Sequence, residues 1–310
     1  MNDQCAPEPD NIRNLFSNAD PEFAWDEAEE IVTLLYPEFD LALLRTTFDD
    51  VLRLFGGDYP GYAAIATPYH DLSHTLSVFV CATRMMHGLH ASGVQVTGQE
   101  MMAVMLAALL HDVGYAQLRG SETGTGAQFT RTHVSRGIEF MRHYARSHGF
   151  PRELSDQLGF LMQSTDHIKG FSSINFPDER TRMLGQIISS ADLAGQMADR
   201  MYLEKLMYLY FEFKEAAIGN YQDIMDLFGR SSGFYQHVQL KLDNELGGMV
   251  HKLPHYFQAR LGVGRNFYLE AMEGNIAYLG RVVAEGENGF ALLKRGGVLQ
   301  KVKQLMPEME

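Results

Sequence analysis

Histidine and aspartate residues occur at three separated places in the sequence, in an order that suits metal binding. His70 and His74 lie four residues apart in TPYHDLSHTL. His111 and Asp112 end the apolar run MLAALL, and Asp192 follows in LGQIISSADLAGQ. Imidazole nitrogens combined with carboxylate oxygens suit Zn²⁺, Mn²⁺ or Fe²⁺. Because the set contains no cysteine, a structural zinc site is disfavoured.

The first pair of histidines is predicted to lie on a helix. Thr67 is a plausible N-cap and Pro68 suits the first helical position. In a helix that starts there, His70 and His74 lie one turn apart on the same face. A capped surface helix with two solvated histidines fits this stretch equally well until partners for it are found elsewhere in the chain.

The other candidates lie on apolar helices, where ionised groups need partners. A helix that runs through GQEMMAVMLAALLHDVG and stops at Gly114 would bring His111 and Asp112 to its end. Asp192 lies on a predicted helix with apolar residues at 184, 187, 188, 191 and 193. An unpaired buried charge is very costly. The alternatives are a helix terminus that emerges into solvent for the first pair, and a solvated edge or a helix kink for Asp192.

Apolar residues recur at helical spacing through most of the 310-residue chain, so the sequence predicts an all-α, multi-helix bundle. Helices are predicted near 22–35, 38–55, 67–90, 98–114, 130–147, 151–167, 180–217, 234–262 and 265–284, with breaks at 56–62 and at FGRSSG, 228–233. Residues 1–60 are predicted to form an N-terminal helical accessory segment, 61–290 the catalytic domain and 291–310 a C-terminal tail.

Charge and composition restrict the partners. Acidic residues outnumber basic ones by 39 to 26, and the net charge of −13 argues against a nucleic acid polymer or an anionic membrane. Two cysteines, Cys5 and Cys81, are too few for a disulfide framework. Without a visible signal peptide or a membrane-length apolar stretch, a cytoplasmic protein is expected. MYLEKLMYLYFEF, 201–213, favours a core helix, and a dimer face is the alternative.

The order H…HD…D resembles the signature of the HD-domain metal-dependent phosphohydrolase superfamily. YHDLSHTLSV looks like the YHN-x-x-H-x-x-x-V segment of the class I cyclic nucleotide phosphodiesterases. LLHDVG is similar to their HDVDH segment, and SSADLAG to their HAADLSN segment. The resemblance runs from about Tyr69 to Val250 and implies an all-helical bundle.

The resemblance also implies roles for the residues. His74, His111, Asp112 and Asp192 would hold a first metal ion, and Asp112 would bridge to a second. Two such cations lower the pKa of water and clamp the phosphoryl oxygens, so that a metal-activated hydroxide can attack phosphorus. His70 would be the general acid that protonates the leaving alkoxide.

Two further histidines are candidates for a dinuclear site. His133, in THVSRG, is similar to the H-x-x-x-G element of two-metal HD proteins, including the HD-GYP branch, and His167, in STDHIKG, lies where that branch carries another ligand. Each is as readily a surface histidine at a helix end, and Asp166 competes with His167 for the role. The resemblance therefore implies one or two divalent ions, with Zn, Mg, Mn and Fe all compatible.

The sequence departs from these families at several positions. Tyr115 stands where the phosphodiesterases have the second histidine of HDVDH and where HD-GYP proteins have a lysine, and Asp71 replaces the asparagine of YHN. SSGFYQHVQLKLDNELGGMV resembles the phosphodiesterase segment Q-V-G-F-I-D-Y-I-V-x-P-L. Phe234 matches the phenylalanine that stacks on the purine, so it is either substrate-binding or a core residue. Ser231 falls at the glutamine position and is too short for a two-point amide contact.

Three functions follow from these patterns. The leading hypothesis is a metal-dependent phosphohydrolase, most simply a phosphodiesterase acting on a cyclic nucleotide or a related small phosphoester. The second is a di-iron HD-fold oxygenase, for which His133 and His167 would serve equally well. The third is a non-catalytic nucleotide-binding sensor domain, against which the intact ligand set argues. His70 favours hydrolysis, because an oxygenase has no general need for a leaving-group acid.

Overall fold

The protein's structure is a computed structural model that describes Leu15 and residues 20–305. Cys5 and the ends of the accessory segment and tail lie outside these residues. The described part is helical, and its β-structure is one isolated bridge between Tyr62 and Leu118. The all-α prediction is therefore confirmed. The α-helices are α1 (Pro21–Leu35), α2 (Ala42–Gly56), α3 (Leu72–Ala91), α4 (Gly98–Leu110), α5 (His133–Ser147), α6 (Arg152–Gln163), α7 (Glu179–Met197), α8 (Tyr202–Glu215), α9 (Ile224–Leu240), α10 (Leu253–Leu261), α11 (Phe267–Ala284) and α12 (Val298–Leu305).

Two helices form the centre of the bundle. Every residue of α3 from His74 to Leu89 is buried, and so is every residue of α4 from Met101 to Leu110. Helices that are buried on all sides belong to the core rather than to its surface. α3 packs against α1, α4, α7 and α10.

The first two helices share this core. Trp25 packs edge-on against Phe48 with ring centroids 5.4 Å apart, and Phe48 packs against Phe79 of α3 at 5.6 Å. One cluster of buried apolar residues extends from Ala24 to Val302. The domain boundaries expected near residues 60 and 290 stay predictions.

A buried ion pair ties α1 to α3. The guanidinium of Arg84 is fully buried and donates through Nε and Nη2 to the two carboxylate oxygens of Glu27, at 2.5 and 2.6 Å. Tyr268 accepts a hydrogen bond from Arg84 at 2.9 Å, and Tyr256 donates to Glu27 at 2.7 Å. Burial opposes ionisation of Glu27, but the charge of Arg84 and its hydrogen bonds lower the pKa of that carboxyl.

The predicted start of α3 is wrong. The helix begins at Leu72, and Asp71 is its N-cap, because the Asp71 carboxylate accepts a hydrogen bond from the backbone N–H of His74 at 2.8 Å. Thr67 instead donates its hydroxyl to the carbonyl of His70 at 2.8 Å and closes a turn before the helix. His70 therefore precedes the helix that carries His74, and the two residues do not share a helical face.

The predicted break at 228–233 is also wrong. These residues lie inside α9, which starts after Asp223, whose carboxylate accepts from the backbone N–H of Asp226 at 2.8 Å. A Cβ added at Gly229 or Gly233 would meet no atom within 4 Å. Each exposed helical glycine costs about 1 kcal/mol relative to alanine, and the buried face of α9 offsets that cost. The chain turns instead before Ile224 and again in a π-helical turn, Lys241–Glu245.

Other predicted helix ends differ from the observed ones. α4 ends at Leu110 rather than at Gly114, α6 ends at Gln163, and the long region 180–217 is two helices, α7 and α8. α8 buries Leu203, Leu206 and Met207, so this stretch contributes to the core. Among the described helices, none combines the length and the hydropathy that crossing a membrane requires.

We expect Glu27→Gln to lower the free energy of unfolding by about 3–5 kcal/mol, because it leaves the buried Arg84 charge without its partner. Glu30→Gln is the matched control, since the Glu30 side chain is 63% exposed in its pair with Arg260, and such surface pairs contribute about 0–1 kcal/mol. Urea denaturation of both variants measures the difference. Equal losses in the two variants would contradict the assignment of the buried pair.

Candidate metal centre

Three buried side chains converge where α3 meets the end of α4. The Nε2 atoms of His74 and His111 lie 3.2 Å apart, and they lie 3.3 and 3.2 Å from Oδ2 of Asp112. Two ligands that each lie at 2.0–2.1 Å from one ion are about 3.0 Å apart at a right angle and about 3.4 Å apart in a tetrahedron. The observed separations fall in this interval. The group His74, His111 and Asp112 could therefore hold a metal ion.

The hydrogen bonds of these side chains turn the converging atoms towards one another. His111 Nδ1 lies 2.8 Å from the carbonyl of Ala108, so Nδ1 donates to that carbonyl and Nε2 faces the cluster. Oδ2 of Asp112 is buried and has no hydrogen-bond partner among the described residues. A buried carboxylate oxygen without a donor is costly. A divalent cation would satisfy this oxygen and both Nε2 atoms together.

Asp192 adds a fourth donor from α7. Its Oδ1 lies 3.3 Å from His74 Nε2 and 4.0 Å from His111 Nε2. α7 can approach α3 closely because Gly195 faces the backbone of Ser77, where a Cβ would lie only 3.1 Å from the carbonyl oxygen. The side chains expected to hold the first ion are therefore brought together.

His133 lies on the other side of Asp112. Its Nδ1 is 2.7 Å from the carbonyl of Thr130, and its Nε2 is 3.6 Å from Oδ1 of Asp112. Burial lowers the pKa of His133, which favours the neutral imidazole that ligands require. α5 reaches this place because Gly114 contacts it directly: a Cβ there would lie 1.8 Å from the carbonyl oxygen of His133. Oδ2 of Asp112 thus faces His74 and His111, whereas Oδ1 faces His133.

His167 contacts the second oxygen of Asp192. Its Nε2 lies 3.0 Å from Oδ2 of Asp192, and its Nδ1 lies 3.1 Å from Nζ of Lys241. Burial lowers the pKa of Lys241. Asp166, the competing candidate, contacts Lys169 instead. Its carboxylate accepts a hydrogen bond from the backbone N–H of Lys169 at 3.0 Å and pairs with the Lys169 ammonium at 3.2 Å. His167 is therefore the one that reaches Asp192, and its binding of a second ion stays a prediction.

His70 is held beside the cluster by Glu212 of α8. Its Nδ1 lies 2.6 Å from Oε2 of Glu212, while Oε1 accepts from the backbone N–H groups of Tyr69 and His70 at 2.6 and 3.2 Å. Burial alone would lower the pKa of His70, but the charge and hydrogen bond of Glu212 outweigh it and raise that pKa above its ordinary value. The His70 ring lies 5.7 Å from the His74 ring. Its Nε2 is then the ring nitrogen available to donate a proton.

Tyr115, at which the sequence departs from both patterns that it resembles, packs against two of the histidines. Its ring stacks on His70 at 4.9 Å and on His133 at 4.7 Å, nearly parallel to the latter. The phenol is buried, and burial raises the pKa of Tyr115 well above its ordinary value. The rings of His70 and His133 also lie 6.2 Å from each other. Tyr115 therefore contacts both imidazoles as a neutral group on one side of the pair.

Two carboxylates of α8 were missed by the sequence reasoning. Glu212 and Glu215 lie one turn apart, and Glu215 accepts from the backbone N–H of Thr125 at 3.0 Å and from its hydroxyl at 2.8 Å. Glu215 thereby fixes the glycine-rich loop RGSETGTGAQ, residues 119–128, which precedes His133. The signal for Glu212 was present, since a carboxylate in the aromatic run YLYFEF needs a buried partner. No pattern in the sequence singled out Lys241.

Phe234 lies on α9 with 54% of its surface exposed, so the alternative that it is a core residue is wrong. Ser231 donates its hydroxyl to the carbonyl of Leu227 at 2.8 Å within the same helix. The Ser231 side chain is therefore occupied by its own backbone, and binding of substrate by Phe234 stays a prediction.

Comparison with known proteins gives one partial match. Residues 118–245 match the model of a family described as Npun_R2479-like. The matched region is less than half of the chain, and it contains His133, His167 and Asp192 but not His74 or the His111–Asp112 pair. A search of the curated proteins finds none that matches the chain.

Metal binding should release protons and strengthen as the pH rises. Burial opposes a charge on His74, but its contacts with Asp112 and Asp192 raise the pKa of His74 to about 10. A cation that takes Nε2 must displace this proton, so its affinity should rise up to about tenfold per pH unit for each proton released, from about pH 6 to pH 9.

Titration calorimetry with Mn²⁺ in two buffers of different ionisation enthalpy measures the protons released. His143→Ala is the matched control, because His143 lies on the exposed side of α5 with its ring on the carbonyl of Glu139. It should leave proton release unchanged. Binding of Mn²⁺ without any proton release at neutral pH would contradict the assigned ligands.

Proposed function

We propose that the protein is a metal-dependent phosphohydrolase, most simply a phosphodiesterase that acts on a small phosphodiester. The observation that carries this proposal is the pairing of a buried histidine and aspartate cluster with one further histidine, His70, which Glu212 holds next to the cluster through Nδ1. A nitrogen and oxygen donor set of this kind suits divalent zinc, manganese or iron. Hydrolysis of a phosphoester needs both an electrophilic centre and an acid for the leaving group.

The residues of the chain would divide this work. His74, His111, Asp112 and Asp192 would hold one ion, and Asp112 would extend its other oxygen towards His133. A divalent ion, when bound, lowers the pKa of a water molecule and offsets the charge of phosphoryl oxygens. Glu212 keeps a hydrogen on His70 Nδ1 and favours the protonated ring, so that Nε2 can give its proton to a departing alkoxide oxygen.

Burial of the cluster supports the chemistry. His111 and Asp112 are 1% and 2% exposed, and His74 is 4% exposed. In such surroundings charge interactions are stronger than in water. His70 is more open, with 18% of its side chain exposed, so it lies on the side from which a substrate can enter. The net charge of −13 favours a small phosphoester over a nucleic acid polymer, and a cytoplasmic location stays a prediction.

A di-iron oxygenase is the second candidate. It is favoured by the positions of His133 and His167, which lie at the remaining oxygens of Asp112 and Asp192 and would complete a six-residue set. The Glu212–His70 pair favours hydrolysis, because oxygen activation does not require an acid poised for an alkoxide. Iron content, together with a spectral change that depends on oxygen, separates the two candidates.

The test of the proposal compares His70→Ala with Asp112→Ala. We expect His70→Ala to keep its bound metal and to lose about 100-fold or more in turnover, as removal of a general acid does. Asp112→Ala should lose both metal and turnover. Elemental analysis and assays with an aryl phosphodiester, cyclic AMP, cyclic GMP and linear dinucleotides measure these effects.

His143→Ala, a substitution on the exposed face of α5, is the control that should retain metal and turnover. If the wild-type protein with its metal hydrolyses none of the phosphodiesters, the proposal fails. Equal loss of metal in His70→Ala and Asp112→Ala would refute the separation of acid from ligand.

The pH profile tests the role of Glu212. Because an acid must be protonated to act, turnover should fall as the pH rises through the pKa of His70, which Glu212 raises. Glu212→Gln removes the negative charge, so the fall in kcat should begin at a lower pH than in the wild type. Glu215→Gln is the matched control one turn along α8, and it should leave the pH of that fall unchanged. If kcat falls at the same high pH in the wild type and in Glu212→Gln, the role of His70 as general acid is contradicted.

A further inference from the structure

Lys241 occupies an unusual place at the edge of the metal centre. It is the first residue of the π-helical turn that follows α9, and its Nζ lies 3.1 Å from Nδ1 of His167. Single π-turns in helices frequently occur at functional sites. Within residues 20–305, Lys241 forms no ion pair with a carboxylate, whereas Lys169 and Lys205 do. The polar partner of Lys241 is the imidazole of His167.

The chemistry of an ammonium decides the direction of this hydrogen bond. A lysine ammonium has three donors and no acceptor. Lys241 therefore donates, and Nδ1 of His167 must accept and carry no hydrogen. The ring hydrogen is then on Nε2, which lies 3.0 Å from Oδ2 of Asp192 and donates to it. A ring nitrogen that carries a hydrogen has no lone pair for a metal ion.

Two other histidines of the centre, His111 and His133, have the opposite arrangement. Nδ1 of His111 and Nδ1 of His133 face the backbone carbonyls of Ala108 and Thr130, at 2.8 and 2.7 Å. Because a carbonyl only accepts, both rings donate from Nδ1, and Nε2 is the nitrogen of each ring that is directed at an ion. The fold thus builds two histidines as ligands and His167 as a donor.

We propose that Lys241 closes the second metal position by holding His167 as a hydrogen-bond donor to Asp192. An ion can bind His167 Nε2 only after Lys241 has withdrawn, because the hydrogen on Nε2 must then leave to solvent while Nδ1 takes one up. Until that happens, His167 orients Asp192 for the first ion. This inference rests on the proposed metal centre, and it makes Lys241 and His167 positioning residues.

The experiment measures stepwise binding of Mn²⁺ to the full-length protein after removal of bound metal. Wild type should bind one ion tightly and a second weakly. Lys241→Met removes the donor, so its second ion should bind at least about tenfold tighter, which corresponds to about 1.4 kcal/mol. Lys241→Arg keeps a donor and should behave like wild type. Free Mn²⁺ is measured by electron paramagnetic resonance, and elemental analysis gives the stoichiometry.

Lys169→Met is the matched control for charge alone. Lys169 is two residues from His167, 58% of its side chain is exposed, and it pairs with Asp166 at 3.2 Å. It should leave the affinity of the second ion unchanged. Nitrogen-15 spectra of histidine-labelled, metal-free protein supply a readout that does not depend on binding, and they should show His167 with its hydrogen on Nε2 in wild type.

Several results would overturn the inference. These are unchanged affinity for the second ion in Lys241→Met, equal tightening in Lys169→Met, or a hydrogen on Nδ1 of His167 in the wild type. Thermal melts of each variant show whether it is folded. The inference stands apart from the reaction: absence of phosphodiester turnover with the Lys241→Met shift intact would refute the proposed hydrolase and leave the role of Lys241 standing.

Discussion

The structure depends on the burial of two aspartates, Asp112 and Asp192, among apolar helices. Burial opposes ionisation of both carboxyls, yet the neighbouring histidines lower the pKa of each, so both side chains are anionic in the core. Carboxylates in such surroundings must be compensated by cations or by donated hydrogens. The meeting of α3, the end of α4 and α7 is arranged around this requirement, and it is what makes the cluster a candidate for binding a divalent ion.

The partner of each histidine decides what that histidine can do. His111 and His133 face backbone carbonyls, which only accept, so each ring donates from Nδ1 and turns Nε2 towards Asp112. His70 faces a carboxylate, which favours its protonated form. His167 faces an ammonium, which makes it a donor. Four chemically identical side chains are thereby placed in three different hydrogen-bonding environments through Nδ1.

Positions that depart from the related families have structural explanations here. Tyr115 stacks against both His70 and His133, and Asp71 caps α3 while its carboxylate lies 3.6 Å from the ammonium of Lys205. Neither change removes a donor from the cluster. Ser231 donates to the carbonyl of Leu227 within its own helix, α9.

Much of the fold could be predicted from sequence, because helical periodicity and local caps are properties of neighbouring residues. The all-α class, the residues at which the three motifs lie and their types followed from that pattern. The start of α3 and the position of the break before α9 did not, since Asp71 and Thr67 compete for one cap and exposed glycines are tolerated inside a helix.

What the sequence by itself determined was which side chains are chemically able to bind an ion. Only the tertiary structure decided that Glu212 reaches His70 across 142 positions and that Lys241 reaches His167 across 74. The physical reason is that a hydrogen bond depends on distance and direction in space. Helices that pack side by side create such neighbours without leaving a local trace in the chain.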